Sequence, residues 1–171
     1  MIFSQKTSLI LALLLTITIS ACSSENETTN TGTNKTIATT EFDVYKSPTC
    51  GCCGKWIDHM TDQGFLVKPH DTNILEKIKD DNNVPKNYRS CHTAISKDGY
   101  VFEGHIPANI IKKFLTEKPK NSIGLVVPGM PVGSPGMAYQ NKFTPYTVMS
   151  IQKDGSVTDY AKVNTEKEQF E

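Results

Sequence analysis

FDVYKSPTCGCCGKWIDHM, residues 42–60, carries the signal that decides the fold of this 171-residue chain. Phe42 to Ser47 reads as a strand, and Pro48-Thr49-Cys50-Gly51 as a turn. From Cys52 to about Gln63 the period changes: Trp56, Ile57 and Met60 recur at helical spacing, and Gly64 supplies a stop. The stretch is therefore strand, tight turn, helix, and three cysteines within four positions fall where strand becomes helix.

Downstream, Phe65 to His70 forms a second strand, and Asp71 or Thr72 is placed to cap a helix with Ile74, Leu75 and Ile78 on one side. Val84-Pro85 through Arg89 is irregular. Thr93–Ser96 and Tyr100–Glu103, joined by the turn-prone Lys97-Asp98-Gly99, make a hairpin. Pro107 suits the first position of a helix whose Ile110, Ile111, Phe114 and Leu115 share one face and which ends before Pro119. The predicted order β-α-β-α-β-β-α is an α/β, thioredoxin-like arrangement, in which parallel strands linked through a helix cross over right-handed. Ile123–Val127, a Gly/Pro-rich loop from Pro128 to Gly136, and Tyr146–Ile151 read as an appended loop and strand pair, and Thr165–Glu171 as a frayed tail.

Upstream, Lys6 precedes an apolar run of 11 residues, Leu9 to Ile19. A membrane span needs about 18–20 residues, so this run has the proportions of an export signal. Ile19-Ser20-Ala21-Cys22 resembles the lipobox of bacterial lipoproteins, which implies a signal peptide over residues 1–21 and an acylated Cys22. Ser23 to Thr40 holds 18 residues, seven of them Thr and three Asn, too polar to offset their ordering entropy by burial. Residues 22–40 are thus expected to be an acylated cysteine and a tether, reaching roughly 25 Å at ~5–6 Å × √n, and residues 41–171 the domain. Ser23 and Ser24 resemble lipoproteins sent to the outer membrane, which would leave the domain facing the periplasm. Eighteen basic and 18 acidic residues cancel, so neither a nucleic-acid binder nor a polybasic membrane surface is indicated.

Cys50-Gly51-Cys52-Cys53 holds a C-x-x-C with a further thiol inside it. A helix N-terminus favours thiolate, which is both the nucleophile and the metal ligand. Helical geometry would point Cys52 about 100° away from Cys53, so one ion would struggle to collect all three. Cys91, just before the third strand, lies beside the C-x-x-C in such a fold. Four soft thiolates near His92 and His105, with Met130 and Met137 in a nearby loop, suit Cu(I). Zinc competes for Cys₄ or Cys₃His sites, but structural zinc usually takes paired knuckles rather than three thiols against one. Adjacent cysteines instead suit bridging between several copper ions, so more than one copper per chain is expected. His59, two helical turns past Cys52, and His70, at a strand end, read as packing or surface residues. Trp56 is placed to shield the cluster or to fill the core. Arg89 lacks the Gly-rich surroundings of an oxyanion site.

The segments Tyr45–Trp56 (YKSPTCGCCGKW), Ser90–Ala94 (SCHTA), Glu103–Ala108 (EGHIPA) and Val127–Met137 (VPGMPVGSPGM) resemble, in order, the periplasmic copper-resistance proteins of the CopG type. The resemblance spans nearly all of residues 42–151. It implies a thioredoxin-like fold that binds copper through the C-x-C-C thiols in copper tolerance, as a multinuclear cluster; sequestration and Cu(I)/Cu(II) interconversion both stay open as what the site does with it. Its implied partners are copper ions and periplasmic copper carriers or efflux components, with the membrane touched only through the anchor. Two other readings stand beside it. One is a thiol-disulfide oxidoreductase using Cys50 and Cys53. The other is a structural disulfide lipoprotein, for which only Cys50–Cys53 with Cys52–Cys91 is a relaxed pairing.

Overall fold

The computed structural model describes residues 40–171. The expected signal peptide, the acylated Cys22 and the tether to residue 39 lie outside them. The strands are β1 (Glu41–Lys46), β2 (Leu66–Asp71), β3 (His92–Ser96), β4 (Val101–Glu103), β5 (Ser122–Val126), β6 (Tyr146–Gln152) and β7 (Val157–Val163). The α-helices are α1 (Gly51–Asp62), α2 (Leu75–Asp81) and α3 (Ala108–Glu117), with short 3-10 turns at Lys86–Tyr88 and Glu166–Gln169. One sheet runs β2-β1-β3-β4-β5-β6-β7. Within it β1 and β2 are parallel, whereas β3 is antiparallel to both β1 and β4. This is the α/β order expected for the first seven elements.

The core follows from alternation along the strands. Phe42 and Val44 of β1, Ala94 of β3, Phe102 of β4 and Leu125 of β5 face Trp56 and Met60 of α1 and Ile111 and Phe114 of α3. Phe42 meets Phe65 and Phe102 edge-on, and Phe102 meets Phe114 likewise. Successive residues of a strand point to opposite faces, so Thr93 and Glu103 lie on the side covered by α2. Short turns set the register. Gly99, at φ +82°, donates to the Ser96 carbonyl at 2.8 Å and closes the β3–β4 hairpin.

Several expectations are corrected. Pro107 precedes α3 as its N-cap rather than opening it. Asp71 ends β2, and the Thr72 hydroxyl accepts from the Ile74 N–H at 3.1 Å, so neither caps α2. The apolar side expected for that helix is partly exposed, Ile74 at 60%, and its buried residue is Lys79. The expected appended strand pair is present as β5 and β6, and it continues the same sheet, because β5 also pairs in parallel with β4. A seventh strand, β7, pairs with β6 and was not expected. Its signal was Asp154-Gly155 between β-branched runs, a hairpin cue. The tail is not frayed. Gln169 is buried, accepting from the Tyr146 hydroxyl at 2.7 Å and donating to the Gly133 carbonyl at 3.0 Å. No helix among the described residues is long and apolar enough to cross a membrane.

Candidate metal centre

The turn after β1 tightens when the Cys50 N–H donates to the Ser47 carbonyl at 3.1 Å. Cys50 is the N-cap of α1, with extended backbone at φ −79° and ψ 90°, and its carbonyl accepts from the Gly54 N–H at 3.4 Å. Cys52 and Cys53 sit in the first helical turn, and Cys91 arrives from the segment leading into β3. The four sulfur atoms lie within 4.8 Å of one another. Cys91 Sγ is 3.3 Å from Cys53 Sγ and 4.0 Å from Cys52 Sγ, and Cys52 Sγ is 3.5 Å from Cys50 Sγ. The expectation that Cys52 would stand apart is thus wrong. Cys50 is off the helix and free to turn its side chain inward, and Cys91 enters beside both Cys52 and Cys53.

Cys50 and Cys53 are joined in a disulfide, with Cys52 and Cys91 free. This is the first bond of the relaxed pairing considered above, without the second. Burial pushes the Cys91 thiol up to about 12, with the neighbouring Cys52 charge and hydrogen bond adding to it. Binding a metal there therefore displaces a proton.

His105 Nδ1 lies 2.7 Å from the Pro135 carbonyl oxygen. A carbonyl only accepts, so Nδ1 carries the hydrogen and the Nε2 lone pair faces Cys91 Sγ at 3.0 Å. Burial lowers the pKa of this ring, against a smaller opposing effect of the Pro135 bond. A neutral imidazole with its far nitrogen tied to a carbonyl is the form that binds metals. His92 is fully buried, its ring 4.4 Å from Trp56 and 5.0 Å from His105. Its Nδ1 is 3.5 Å from Cys91 Sγ, while Nε2 is a buried polar atom with no hydrogen-bond partner. Burial first, then the charges of His105 and Lys79, hold its pKa well below the ordinary value. Strand alternation, expected to separate His92 from Cys91, turns the ring toward the core yet leaves one nitrogen at the sulfur.

The Gly/Pro-rich loop closes over the first turn of α1. Gly136, at φ +84°, has room for no side chain: a Cβ there would stand 2.6 Å from the Cys52 carbonyl oxygen and 2.9 Å from Trp56 N. Met137 is half-buried and shares with Cys52, Lys55 and Tyr139 the wall of a groove of about 390 Å³. Met130 is 52% exposed. Trp56 fills the core, donating to the Ile106 carbonyl at 2.9 Å with its ring beside that of His92. His59 and His70 stay out of the site. His59 Nε2 accepts from the Ala108 N–H at 3.1 Å, and His70 Nε2 is 2.6 Å from Asp43 with its ring stacked on Tyr45. Arg89 is occupied by Glu76, Asp80 and the Val84 carbonyl.

Sequence reasoning missed Glu103 and Lys79, a fully buried ion pair behind Cys91. The cue for Glu103 was a carboxylate closing the apolar run Tyr100-Val101-Phe102. Lys79 stands among Lys77, Asp80 and Asp81 and gives no such cue.

Fold and site together define an α/β domain with a cysteine- and histidine-rich centre suited to a soft metal. A family model described as a protein of unknown function, DUF411, matches residues 88–137. Two solved structures of copper resistance protein CopG, forms 1 and 2, are 36% identical to this chain, each with a TM-score of 0.68. They cover 73% and 72% of it, and 98% of each is matched. No curated protein matches the chain. The chain belongs to the CopG family of copper resistance proteins.

Proposed function

We propose that this protein binds copper as Cu(I) in copper tolerance, through Cys50, Cys52, Cys53 and Cys91 after reduction of the Cys50–Cys53 bond. The observation that carries the reading is the gathering of four sulfur atoms within 4.8 Å, beside a histidine whose hydrogen bonding leaves its lone pair facing them. Thiolate and imidazole donors suit copper. The Nε2 atom of His92 has no competing hydrogen bond to protein, and its Nδ1 already lies at Cys91 Sγ. His105 and His92 are the proposed nitrogen ligands, and Met137 and Met130 the proposed thioether donors from the loop. Adjacent thiolates can bridge ions, so the proposed load is more than one Cu(I) per chain. The same reading extends to interconversion of Cu(I) and Cu(II) at the site, and to periplasmic copper carriers or efflux components as donors and acceptors. The pattern Ile19–Cys22 supports anchoring through an acylated Cys22, facing the periplasm, at the outer membrane.

The test is copper per chain with a parallel thiol count, on protein reduced and loaded with Cu(I) under anaerobic conditions. Several coppers with all four thiols consumed is the expected result, and replacing Cys50, Cys52 and Cys53 with Ser should abolish binding. Full stoichiometry in that triple variant would overturn the reading. The Cys50–Cys53 disulfide itself favours a second reading, a thiol-disulfide oxidoreductase. That reading predicts metal-independent reduction of insulin. The free Cys52 Sγ, 3.5 Å from Cys50 Sγ, weighs against it by competing for any mixed disulfide.

A further inference from the structure

Glu103 and Lys79 are each 0% exposed, one on β4 and one on α2. Stability alone is a poor reason for such a pair, since well-packed apolar replacements of buried ion pairs are often neutral or stabilising. The carboxylate is instead fully used. Its Oε1 accepts from Lys79 Nζ and, at 2.6 Å, from the backbone N–H of Ser90, and its Oε2 accepts from the Thr93 hydroxyl at 2.7 Å. Lys79 Nζ also donates to Thr93 Oγ1 at 3.1 Å. Ser90 immediately precedes Cys91, and Thr93 follows it by two residues. Next to Glu103, the Gly104 N–H donates to the His92 carbonyl at 3.0 Å, and the chain then turns to present His105. Gly104 permits that turn: its φ is +81°, and a Cβ would stand 2.6 Å from the Val127 carbonyl oxygen and 2.7 Å from Ser90 Cβ. One carboxylate thus grips the backbone before Cys91 and the strand after it, from the last residue of β4, two positions before His105.

We infer that Glu103, charge-balanced by Lys79, is a positioning residue that holds Cys91 against Cys52, Cys53 and His105. The inference rests on the copper-binding reading for its consequence, but its geometry is testable without metal. Removing Glu103 alone would leave Lys79 buried and unpaired, so two paired replacements are compared. Lys79→Met with Glu103→Gln keeps an acceptor for the Ser90 N–H without charge, whereas Lys79→Met with Glu103→Met removes it. The first readout is the alkylation rate of Cys91, mapped by mass spectrometry, in metal-free protein with the Cys50–Cys53 bond intact. The second is Cu(I) affinity of the reduced protein, by competition with bicinchoninate.

The Met/Met protein should alkylate faster at Cys91 and bind Cu(I) ~10–100-fold more weakly, the range seen when outer partners of metal ligands are removed. The Met/Gln protein should return both toward parent values. Equal behaviour of the two variants, whether parental or impaired, would overturn the inference, as would unfolding of Met/Met alone, which would make Glu103 a stability residue. If the parent fails to bind Cu(I) while the alkylation contrast persists, the copper reading falls and the positioning role stands.

Discussion

His59 and His105 both need a neutral ring, for different ends. His105 presents a lone pair to sulfur, and His59 presents one to the first N–H of α3, whose N-cap, Pro107, has no polar side chain to offer one. Burial lowers the pKa of His59 below its ordinary 6.5. Between the folded and unfolded values the unfolded chain takes up a proton that the folded chain resists, so stability rises with pH across that window. This contribution is complete above about pH 6.5 and declines as pH falls through the window. His59→Gln, which keeps an acceptor but does not titrate, should therefore flatten the loss of stability between about pH 7 and pH 5. Urea midpoints across that range check it. The slope should shrink without vanishing, because His92 and His105 also have lowered values. An unchanged slope would mean that His59 protonates freely in the fold. At this scale the cysteines were legible, since residue type and spacing alone named them. The tautomer of His105 was not, because its acceptor lies 30 residues along the chain.

Elements meet at the site through glycine. Gly51 and Gly136 both border Cys52, yet a Cβ at Gly51 meets nothing within 4 Å, whereas one at Gly136 strikes the backbone of α1. Gly136→Ala should cost about 1–3 kcal/mol from the positive φ alone, more with the clash, and lift the loop that carries Met137 off Cys52. Gly51→Ala should be neutral or slightly stabilising, as for a helical glycine free of strain. Thermal midpoints of the two variants give the contrast, and equal midpoints would refute the close packing of this loop. The first strand and helix were readable because their periods differ sharply within a few residues. The second helix was misread on its apolar residues: Leu75 and Ile78 are only half-buried, and it docks through Lys79 onto Thr93 and Glu103. No hydrophobic pattern can announce a buried amine whose partner is 24 residues away.

The whole domain closes on itself at the C-terminus. Asn109 Nδ2 donates to the carbonyl oxygens of Glu168 and Glu171 at 2.8 and 2.7 Å, and Phe170 meets the His59 ring edge-on. Together with Gln169 these contacts pin the loop over the metal centre to α3 and β6. Deleting residues 165–171 strips the Tyr146 hydroxyl and the Gly133 carbonyl of their partners. Each buried group left unsatisfied costs about 1–3 kcal/mol, so the thermal midpoint should fall by several degrees; calorimetry retaining the parental value would return the tail to a frayed end. Polar Thr165–Glu171 gave no hint of this, because its anchoring is by hydrogen bonds to residues far along the chain, Asn109, Gly133 and Tyr146. The open sheet also has two rims, β2 and β7. Such rims template joining between molecules, and charge or proline on them discourages it. On β2 stand Lys68, Pro69 and Asp71, and on β7 Asp159 and Lys162, all exposed. A copy approaching one rim would thus meet the missing amide of Pro69, and at the other mixed charge, so strands do not zip rim to rim between molecules.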